Sequence, residues 1–353
     1  MSEYNHRMLL KGNEAAVYGA LLAGCDCYFG YPITPASEIA QAAALLFPRL
    51  HRTFIQAESE IGAINMVIGA SAAGRRAMTA SSGLGISLKQ EGVSYLAAYE
   101  LPALIVDVTR GGPGLGNIGP EQADYFQLVK GGGHGSYHCF VLTPNSVQEM
   151  CDMTREAFAL AEKYRMPAYV MADGVIGQMM ESVVLPEPQV YDYDPEWRMG
   201  RVVDGTANII TSIYMEHNDL EELNRKLQAK YRTIEREEQS CEEFRTDDAE
   251  IVLVAYGISS RVARGAVEML RKEGVKAGLV RPRKVYPFPT DALARLAGES
   301  RVKAFVAVEM SAGQMIEDVR LATSCRKPVF LCNRMGGNVP SCREVADAVL
   351  DIK

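Results

Sequence analysis

The sequence predicts an α/β protein with a doubly wound parallel-sheet domain followed by a smaller α/β domain. From about residue 8 to 185, short apolar segments alternate with segments of helical character, and glycines and prolines stand at the joints. The short segments are apolar on both faces, which is typical of parallel strands buried between helices. The same alternation begins again near residue 250. We therefore expect two sheets, each with its own core.

In the first domain, predicted over residues 1–185, strands and helices alternate. The predicted strands are 27–31, 52–56, 77–81, 103–109, 139–143 and 168–172. The predicted helices are 13–23, 35–46, 60–73, 85–98, 120–129 and 146–164. In an open parallel sheet, ligands bind in the crevice outside the carboxyl ends of the strands. The loops that follow these strands are therefore the place to look for a site.

A charged segment over residues 186–248 is predicted to connect the two domains. Within it, Leu220, Leu223 and Leu227 keep a spacing of three and four residues, which predicts an amphipathic helix with one apolar stripe. The second domain is predicted over residues 249–353. Its predicted strands are 250–256, 275–280, 304–309 and 328–332, and its predicted helices are 259–274 and 290–297.

Composition excludes several classes of function. The 353 residues carry a net charge of -7, and the basic residues are dispersed, so we expect no nucleic-acid partner. No apolar run reaches the roughly 18 residues of a membrane span, and the N-terminus lacks the pattern of a signal peptide. We expect a cytoplasmic protein that does not enter a membrane.

The eight cysteines form no CxxC pair and no run of iron–sulfur ligands. Cys25 and Cys27, at the start of a predicted strand, are interpreted as two buried thiols rather than as metal ligands. The sequence predicts no metal ligand in this chain.

Three strand ends carry side chains suited to a small-molecule site. Glu60 begins a helix rich in small residues, Thr34 stands between two prolines, and Arg110 directly follows an apolar strand. Each has an ordinary alternative. A carboxylate such as Glu60 or Glu58 is favoured at a helix N-terminus by the helix dipole, Thr34 suits a plain turn, and Arg110 suits a structural ion pair. Together they indicate a site that binds a carboxylate.

Two glycine-rich segments leave other interpretations open. Residues 114–119 match the dinucleotide pattern GxGxxG, but the next strand ends in Thr143 without the acidic residue that would bind a ribose. His134 and His138 lie four residues apart, yet three consecutive glycines before them argue against a helical metal pair. That segment is predicted to be either a loop over the site or a surface connection.

Several segments together give the chain a recognisable family. They are Gly30–Pro35 (GYPITP), Glu58–Gly62 (ESEIG), Thr79–Gly83 (TASSG) and Val108–Arg110 (VTR). Their order and spacing resemble the alpha subunit of 2-oxoacid:ferredoxin oxidoreductases over almost the whole chain. Residues 122–126 (QADYF) and 130–135 (KGGGHG) look more like the branched-chain type, whose substrate is 3-methyl-2-oxobutanoate, than the 2-oxoglutarate type.

The resemblance implies a thiamine diphosphate enzyme in which this subunit supplies the pyrimidine-binding domain and a C-terminal domain similar to that of transketolase. It implies that Glu60 hydrogen-bonds N1′ of the aminopyrimidine, which promotes loss of the thiazolium C2 proton. It also implies that Thr34 and Arg110 hold the 2-oxoacid. The remaining residues that the resemblance assigns to cofactor binding are Tyr31, Pro32, Ile33, Ser82 and Gly83.

This chain departs from the family pattern at the motif that binds the diphosphate. The diphosphate and its metal usually require a GDG motif followed by an Asn, whereas this chain has only Ala172-Asp173-Gly174. The resemblance therefore implies a beta subunit that brings the diphosphate and Mg²⁺ site, with gamma and small ferredoxin-like delta subunits. The [4Fe-4S] clusters would lie on those partners.

The implied reaction is oxidative decarboxylation of the 2-oxoacid to acyl-CoA and CO₂, with coenzyme A as co-substrate and ferredoxin as electron acceptor, in a dimer of heteromers. Three alternatives stay open at this point. They are a 2-oxoglutarate:ferredoxin oxidoreductase subunit, an NAD-dependent dehydrogenase built on residues 114–119, and a non-catalytic scaffold.

Overall fold

The computed structural model describes residues 7–189 and 195–352. Its strands are β1 Arg7–Lys11, β2 Cys27–Gly30, β3 Thr53–Gln56, β4 Ala77–Ser81, β5 Ala103–Thr109, β6 Phe140–Leu142, β7 Pro167–Asp173, β8 Met180–Val184, β9 Val202–Val203, β10 Thr206–Ala207, β11 Cys241–Phe244, β12 Ile251–Val254, β13 Ala277–Pro282, β14 Lys284–Tyr286, β15 Ala304–Glu309 and β16 Val329–Asn333. Its helices are α1 Gly12–Leu22, α2 Ser37–Arg49, α3 Glu60–Ala72, α4 Leu84–Ala98, α5 Tyr125–Val129, α6 Val147–Tyr164, α7 Gly174–Gln178, α8 His217–Glu237, α9 Gly257–Lys272, α10 Thr290–Gly298, α11 Met315–Ala322 and α12 Cys342–Leu350.

The larger sheet has the strand order β14-β6-β7-β5-β4-β2-β3. All of its neighbouring pairs are parallel except β14 with β6. Its central strands β4, β5 and β7 are buried along their whole length, because their apolar residues face helices on both sides of the sheet. The predicted doubly wound parallel sheet is therefore confirmed.

The smaller sheet has the order β11-β13-β12-β15-β16 and is parallel except for β11. The two sheets exchange edge strands. β11 comes from the segment predicted as a connector and joins the smaller sheet, whereas β14 leaves the C-terminal part and joins the larger one. The domain limits at residues 185 and 248 stay a prediction.

The structure corrects one helix in the first domain. The helix predicted over residues 120–129 begins only at Tyr125. Pro120 instead forms a bridge with Arg110, and the backbone N–H of Gln122 donates to the Met310 carbonyl at 2.7 Å. These contacts hold the segment extended, so only one short helical turn follows them.

Several short elements were not predicted from the sequence. β1 pairs with β8 in a separate antiparallel ribbon, and α7 and α11 have five and eight residues. α12 carries a capping box in which Ser341 accepts from the Glu344 N–H at 3.2 Å, a pattern visible in the sequence. Elements this short give little periodicity for prediction.

The predicted amphipathic helix is α8, but its buried stripe is displaced. Leu220 is exposed, whereas Leu227, Tyr231 and Ile234 are buried. The displacement follows from packing against the first domain, where the ring of His138 meets Tyr231 edge to face at 5.3 Å. In the described part of the chain, no helix is both long and apolar enough to cross a membrane.

The amide side chain of Gln122 joins the two domains through three hydrogen bonds. Gln122 Nε2 donates to the Tyr256 carbonyl at 3.0 Å, and Gln122 Oε1 accepts from Ser259 Oγ and the Met310 N–H, both at 2.9 Å. Asp173 adds a link, because its Oδ2 accepts from the Ile258 N–H at 2.7 Å. The smaller domain is thereby fixed over the carboxyl ends of β5 and β7.

Helices α3 and α4 pack closely because α4 carries glycine at its contact positions. A Cβ at Gly92 would lie 2.6 Å from Cγ1 and Cγ2 of Ile64. On the outer side of α3, a Cβ at Gly69 would meet nothing within 4 Å. Gly92 therefore permits the close approach of the two helices, whereas Gly69 does not contribute to it.

We expect Gly92→Ala to push α3 away from α4 and to lower the free energy of unfolding by about 1–3 kcal/mol. The matched control is Gly69→Ala, which should raise stability by up to about 1 kcal/mol, since alanine is the better helix former. Denaturant unfolding of the purified chain measures both. A Gly92→Ala protein as stable as the parent would contradict the close packing.

Candidate active site

Four neighbouring strand ends define one edge of the larger sheet. In the order β5-β4-β2-β3, they are followed by Arg110, the Ser82–Gly83 turn, Thr34 and Glu60. The sequence places these residues up to 76 positions apart, and the parallel arrangement brings their strand ends to one edge. This edge is the candidate site.

Glu60 is the first residue of α3, and its side chain is only 6% exposed. The preceding Ser59 caps the helix by accepting from the Gly62 N–H at 3.1 Å. A Cβ at Gly85 would lie 2.7 Å from Glu60 Oε1 and would also strike Ser81 Oγ, so glycine leaves the carboxylate its space. Among the described residues, no donor reaches the Glu60 carboxylate. The carboxylate is held in a buried position at the start of α3 and is free to bind a ligand.

Arg110 and Thr34 are in direct contact. Arg110 Nη1 donates to the Thr34 carbonyl at 2.9 Å, and Nη2 donates to the Leu115 carbonyl at 3.2 Å. The Thr34 hydroxyl is exposed and lies 3.4 Å from Ser37 Oγ. A guanidinium has five N–H donors, so Arg110 keeps donors for a carboxylate. Thr34 contributes to this contact through its backbone carbonyl.

The Ser82–Gly83 turn lies beside Arg110. Gly83 has a positive φ of 48°, and a Cβ there would lie 3.6 Å from Arg110 Cγ. The hydroxyls of Ser81, Ser82 and Thr79 are buried without a hydrogen-bond partner among the described residues. A buried polar group without a partner costs about 1–3 kcal/mol, so such a group at a strand end points to a ligand or partner that satisfies it.

The remaining predicted cofactor residues follow β2. Tyr31 and Pro32 are exposed, and Ile33 is half-buried. They form an accessible lip between the end of β2 and Thr34. An aromatic and two apolar residues at such a lip can cover the flat face of a heterocycle.

The glycine-rich segment after Arg110 is a closed loop rather than a nucleotide fingerprint. The Gly111 N–H donates to the Gly119 carbonyl at 2.9 Å, and the Asn117 N–H donates to the Gly111 carbonyl at 3.0 Å. No helix begins at this loop, since α5 starts at Tyr125. The geometry that the dinucleotide pattern requires is absent from this described segment.

A cavity of about 780 Å³ opens beside Arg110. Both domains line it, through residues that include Gly83, Arg110, Asp124, Phe126, Gln314 and Met335. Glu121 closes one side, because its Oε2 accepts from the Gly112 N–H at 2.7 Å and its Oε1 from the Gly336 N–H at 2.9 Å. The volume is in the range of small-molecule sites.

Comparisons with known proteins identify the family of this chain. The family described as "Pyruvate flavodoxin/ferredoxin oxidoreductase, thiamine diP-bdg" matches residues 18–243, and "Pyruvate:ferredoxin oxidoreductase core domain II" matches residues 249–345. The ketoisovalerate oxidoreductase subunit VorB of Methanothermobacter thermautotrophicus is 58% identical over 346 residues, 98% of this chain and 97% of the relative.

The chain belongs to the 2-oxoacid:ferredoxin oxidoreductases. The 2-oxoglutarate synthase subunit KorA of Archaeoglobus fulgidus is 40% identical, with 90% of this chain and 92% of the relative covered. Because these relatives are named as subunits, this oxidoreductase chain is part of a multi-subunit complex.

A solved structure shares the fold of this oxidoreductase subunit. It is the 2-oxoglutarate:ferredoxin oxidoreductase from Magnetococcus marinus with 2-oxoglutarate, coenzyme A and succinyl-CoA bound. The TM-score is 0.87 at 27% sequence identity, and 99% of this chain is covered. This chain spans 66% of the length of that chain. The family and fold predicted from the sequence are therefore confirmed.

Sequence reasoning missed a pair of buried carboxyls beside the site of this oxidoreductase subunit. Burial, and then the nearby Asp124, raises the pKa of Asp107 well above its ordinary value, and burial also raises the pKa of Asp124. The backbone N–H of Gly83 faces both carboxyls. The sequence did carry a signal for Asp107, because an aspartate is unusual inside an apolar strand such as Ala103–Thr109.

The histidines and the cysteine pair have separate environments. His134 is exposed, while His138 stacks on Tyr286 at 4.4 Å and burial lowers the pKa of His138.

Cys25 and Cys27 are buried, as expected, and burial raises the pKa of both thiols. Across residues 7–189 and 195–352, no three His, Cys, Asp or Glu side chains are grouped to hold a metal.

We expect Asp107→Asn to stabilise the chain above neutral pH by about 1–3 kcal/mol. A carboxyl whose pKa is raised in the folded state binds its proton more tightly there than in the unfolded chain. The parent therefore loses stability as pH rises through the raised pKa of Asp107, and the variant does not.

Thermal unfolding between pH 4 and 8 tests this, with the exposed Asp247→Asn as control. The advantage of Asp107→Asn should vanish toward about pH 4, where Asp107 binds its proton in both the folded and the unfolded parent. An advantage that is the same at every pH would show that titration of Asp107 is not its cause.

Proposed function

We propose that this chain is the subunit of a branched-chain 2-oxoacid:ferredoxin oxidoreductase that carries the proton-transferring carboxylate, Glu60. The proposed reaction converts 3-methyl-2-oxobutanoate, coenzyme A and oxidised ferredoxin to acyl-CoA, CO₂ and reduced ferredoxin. The observation that carries the catalytic part is the buried Glu60 carboxylate beside the space left by Gly85. Identity of 58% to a ketoisovalerate enzyme subunit, against 40% to a 2-oxoglutarate one, supports the substrate.

Glu60 suits a bond to the N1′ nitrogen of an aminopyrimidine. Its carboxylate has no donor from the described chain, and the space beside it would be filled by any side chain at position 85. When bound, thiamine diphosphate supplies a nucleophilic carbon and an electron sink for decarboxylation. Glu60 would exchange a proton with N1′, for which a carboxyl at a buried edge is suited. The lip residues Tyr31, Pro32 and Ile33, with Ser82 and Gly83, would cover the pyrimidine.

Arg110 is the proposed anchor for the substrate carboxylate. Two of its N–H groups hold the Thr34 and Leu115 carbonyls, which fixes the guanidinium while other donors stay available. Thr34 would orient the keto group if its hydroxyl turned from Ser37 to the substrate. Positioning of this kind supplies much of the rate in reactions between bound groups.

The lining of the neighbouring cavity favours a substrate with an apolar side chain. It contains Leu84, Phe126 and Met335, and its single basic residue among the described ones is Arg110. The acidic residues Glu121 and Asp124 also line it. The second carboxylate of 2-oxoglutarate would lack a cation there and would face these acids, whereas a branched aliphatic group would not.

Partner subunits are required by what this chain lacks. The only candidate for the diphosphate motif is Asp173, and its oxygens accept from the N–H groups of Val175, Ile176 and Ile258. Burial raises its pKa to about 6. Asp173 thus caps α7 and joins the domains, so a beta subunit would bring the diphosphate and Mg²⁺. The [4Fe-4S] clusters would lie on partners, with gamma and delta subunits completing a dimer of heteromers.

In the purified complex, Glu60→Gln should lower kcat by about 10²–10⁴-fold, because proton transfer by a positioned side chain contributes a factor of that size. The amide keeps the shape of the carboxylate, so assembly should be unchanged. Glu58→Gln is the matched control, since Glu58 is an exposed carboxylate two residues away. A fully active Glu60→Gln complex would favour the scaffold alternative and end the catalytic interpretation.

The native complex, purified anaerobically through a tag on this chain, tests the substrate. Coenzyme A-dependent viologen reduction should be fastest with 3-methyl-2-oxobutanoate when it is compared with 2-oxoglutarate, pyruvate and an aryl pyruvate. The isolated chain should be inactive with all four. A preference for 2-oxoglutarate would overturn the substrate assignment, and turnover by the isolated chain would overturn the shared site.

A further inference from the structure

A lysine occupies a core position in α4. The inward face of this helix follows three- and four-residue spacing through Gly85, Ile86, Gly92 and Val93, all buried, and Lys89 stands among them with 0% exposure. Lysine is almost never fully buried unless it is paired, because desolvation of its charge is costly. An apolar residue would pack better at this position, so packing does not explain why a lysine is present.

The contacts of Lys89 lead to Glu60. Its ammonium donates to the Glu60 carbonyl at 3.4 Å. Burial lowers the pKa of Lys89 to about 8, and the charge of Glu60 acts in the opposite direction. The positive end of the α3 dipole lies at the same point and disfavours a cation. A stability role therefore does not account for Lys89.

Other charged groups near this helix face elsewhere. Glu91, on α4 itself, is exposed and accepts from Tyr95 Oη at 3.2 Å. Asp107 and Asp124 face the N–H of Gly83, ahead of α4. From α3, the helix packed against α4, the group that faces Lys89 is Glu60. The pair is thus Lys89 and Glu60.

We propose that Lys89 is a positioning residue for Glu60. Lys89 holds the first turn of α3 in place and stabilises the ionised form of the Glu60 carboxylate. This inference rests on the proposed catalytic role of Glu60. A buried cation favours a nearby carboxylate over the neutral acid, because the low dielectric weakens screening. Lys89 would thereby hold Glu60 as the charged carboxylate that binds the aminopyrimidine.

The test compares Lys89→Met with Lys89→Arg in the purified complex through the pH dependence of kcat/KM. Loss of the cation removes its stabilisation of the ionised carboxylate, so the acid limb of Lys89→Met should move to higher pH by roughly 1–3 pH units. Lys89→Arg keeps the charge and should keep the limb near its original place. Lys230→Met is the control, since Lys230 is a partly buried lysine away from the site, paired with Glu100 at 3.0 Å.

A second readout does not depend on turnover. In the isolated chain, Lys89→Met should unfold at a higher temperature than the parent at pH 7. The difference should narrow as pH rises from about 8 toward 10, because the folded parent releases the Lys89 proton before the unfolded chain does. A constant difference would mean that no buried ammonium is present at this position.

Lys89→Gln keeps a donor for the Glu60 carbonyl and lacks the charge, so it should show the same acid-limb shift. A parent-like pH profile in Lys89→Gln or Lys89→Met would overturn the proposal. If Glu60→Gln abolishes turnover while both profiles stay parental, only the role of Lys89 fails. If Glu60→Gln is fully active, the proposed function fails first. These outcomes keep the two inferences separate.

Discussion

The close approach of α3 to α4 is the constraint on which the site depends. Gly92 lets Ile64 pack against the backbone of α4, and Gly85, two turns earlier, leaves space for the Glu60 carboxylate. Any side chain at either position would separate the helices. The separation would expose Glu60 to water and would remove the buried setting that distinguishes it from an ordinary N-terminal carboxylate. The lack of a side chain at Gly85 and Gly92 therefore keeps Glu60 in the buried position that its proposed role requires.

The second constraint is the exchange of edge strands between the sheets. β14 ties the C-terminal part to β6, and β11 ties the preceding segment to β13. With these strands exchanged, the smaller domain is held over the carboxyl ends of the larger sheet, where Gln122 and Glu121 reach its backbone. The cavity beside Arg110 needs both domains, so a rigid junction between them is part of the site.

Much of the fold could be predicted because buried parallel strands leave a clear signal. The strands from Cys27 to Asp173 are short apolar runs between turns, and Glu60 and Arg110 follow two of them. Strand exchange could not be predicted, since β11 and β14 have four and three residues and owe their pairing to distant partners. The delayed start of α5 has the same origin, because long-range contacts of Pro120 and Gln122 override local helix preference.

The residues that prediction missed share a physical property. Asp107 stands between two valines, Lys89 stands at the three- and four-residue spacing of the buried face of α4, and both are fully buried. Sequence patterns assign such positions to the core, where a charge lowers stability unless it is paired. Both lie behind residues of the site, Lys89 at Glu60 and Asp107 at the Gly83 turn. The places where this chain departs from a stable apolar core therefore surround its candidate active site, as expected where electrostatic control of a reaction opposes stability.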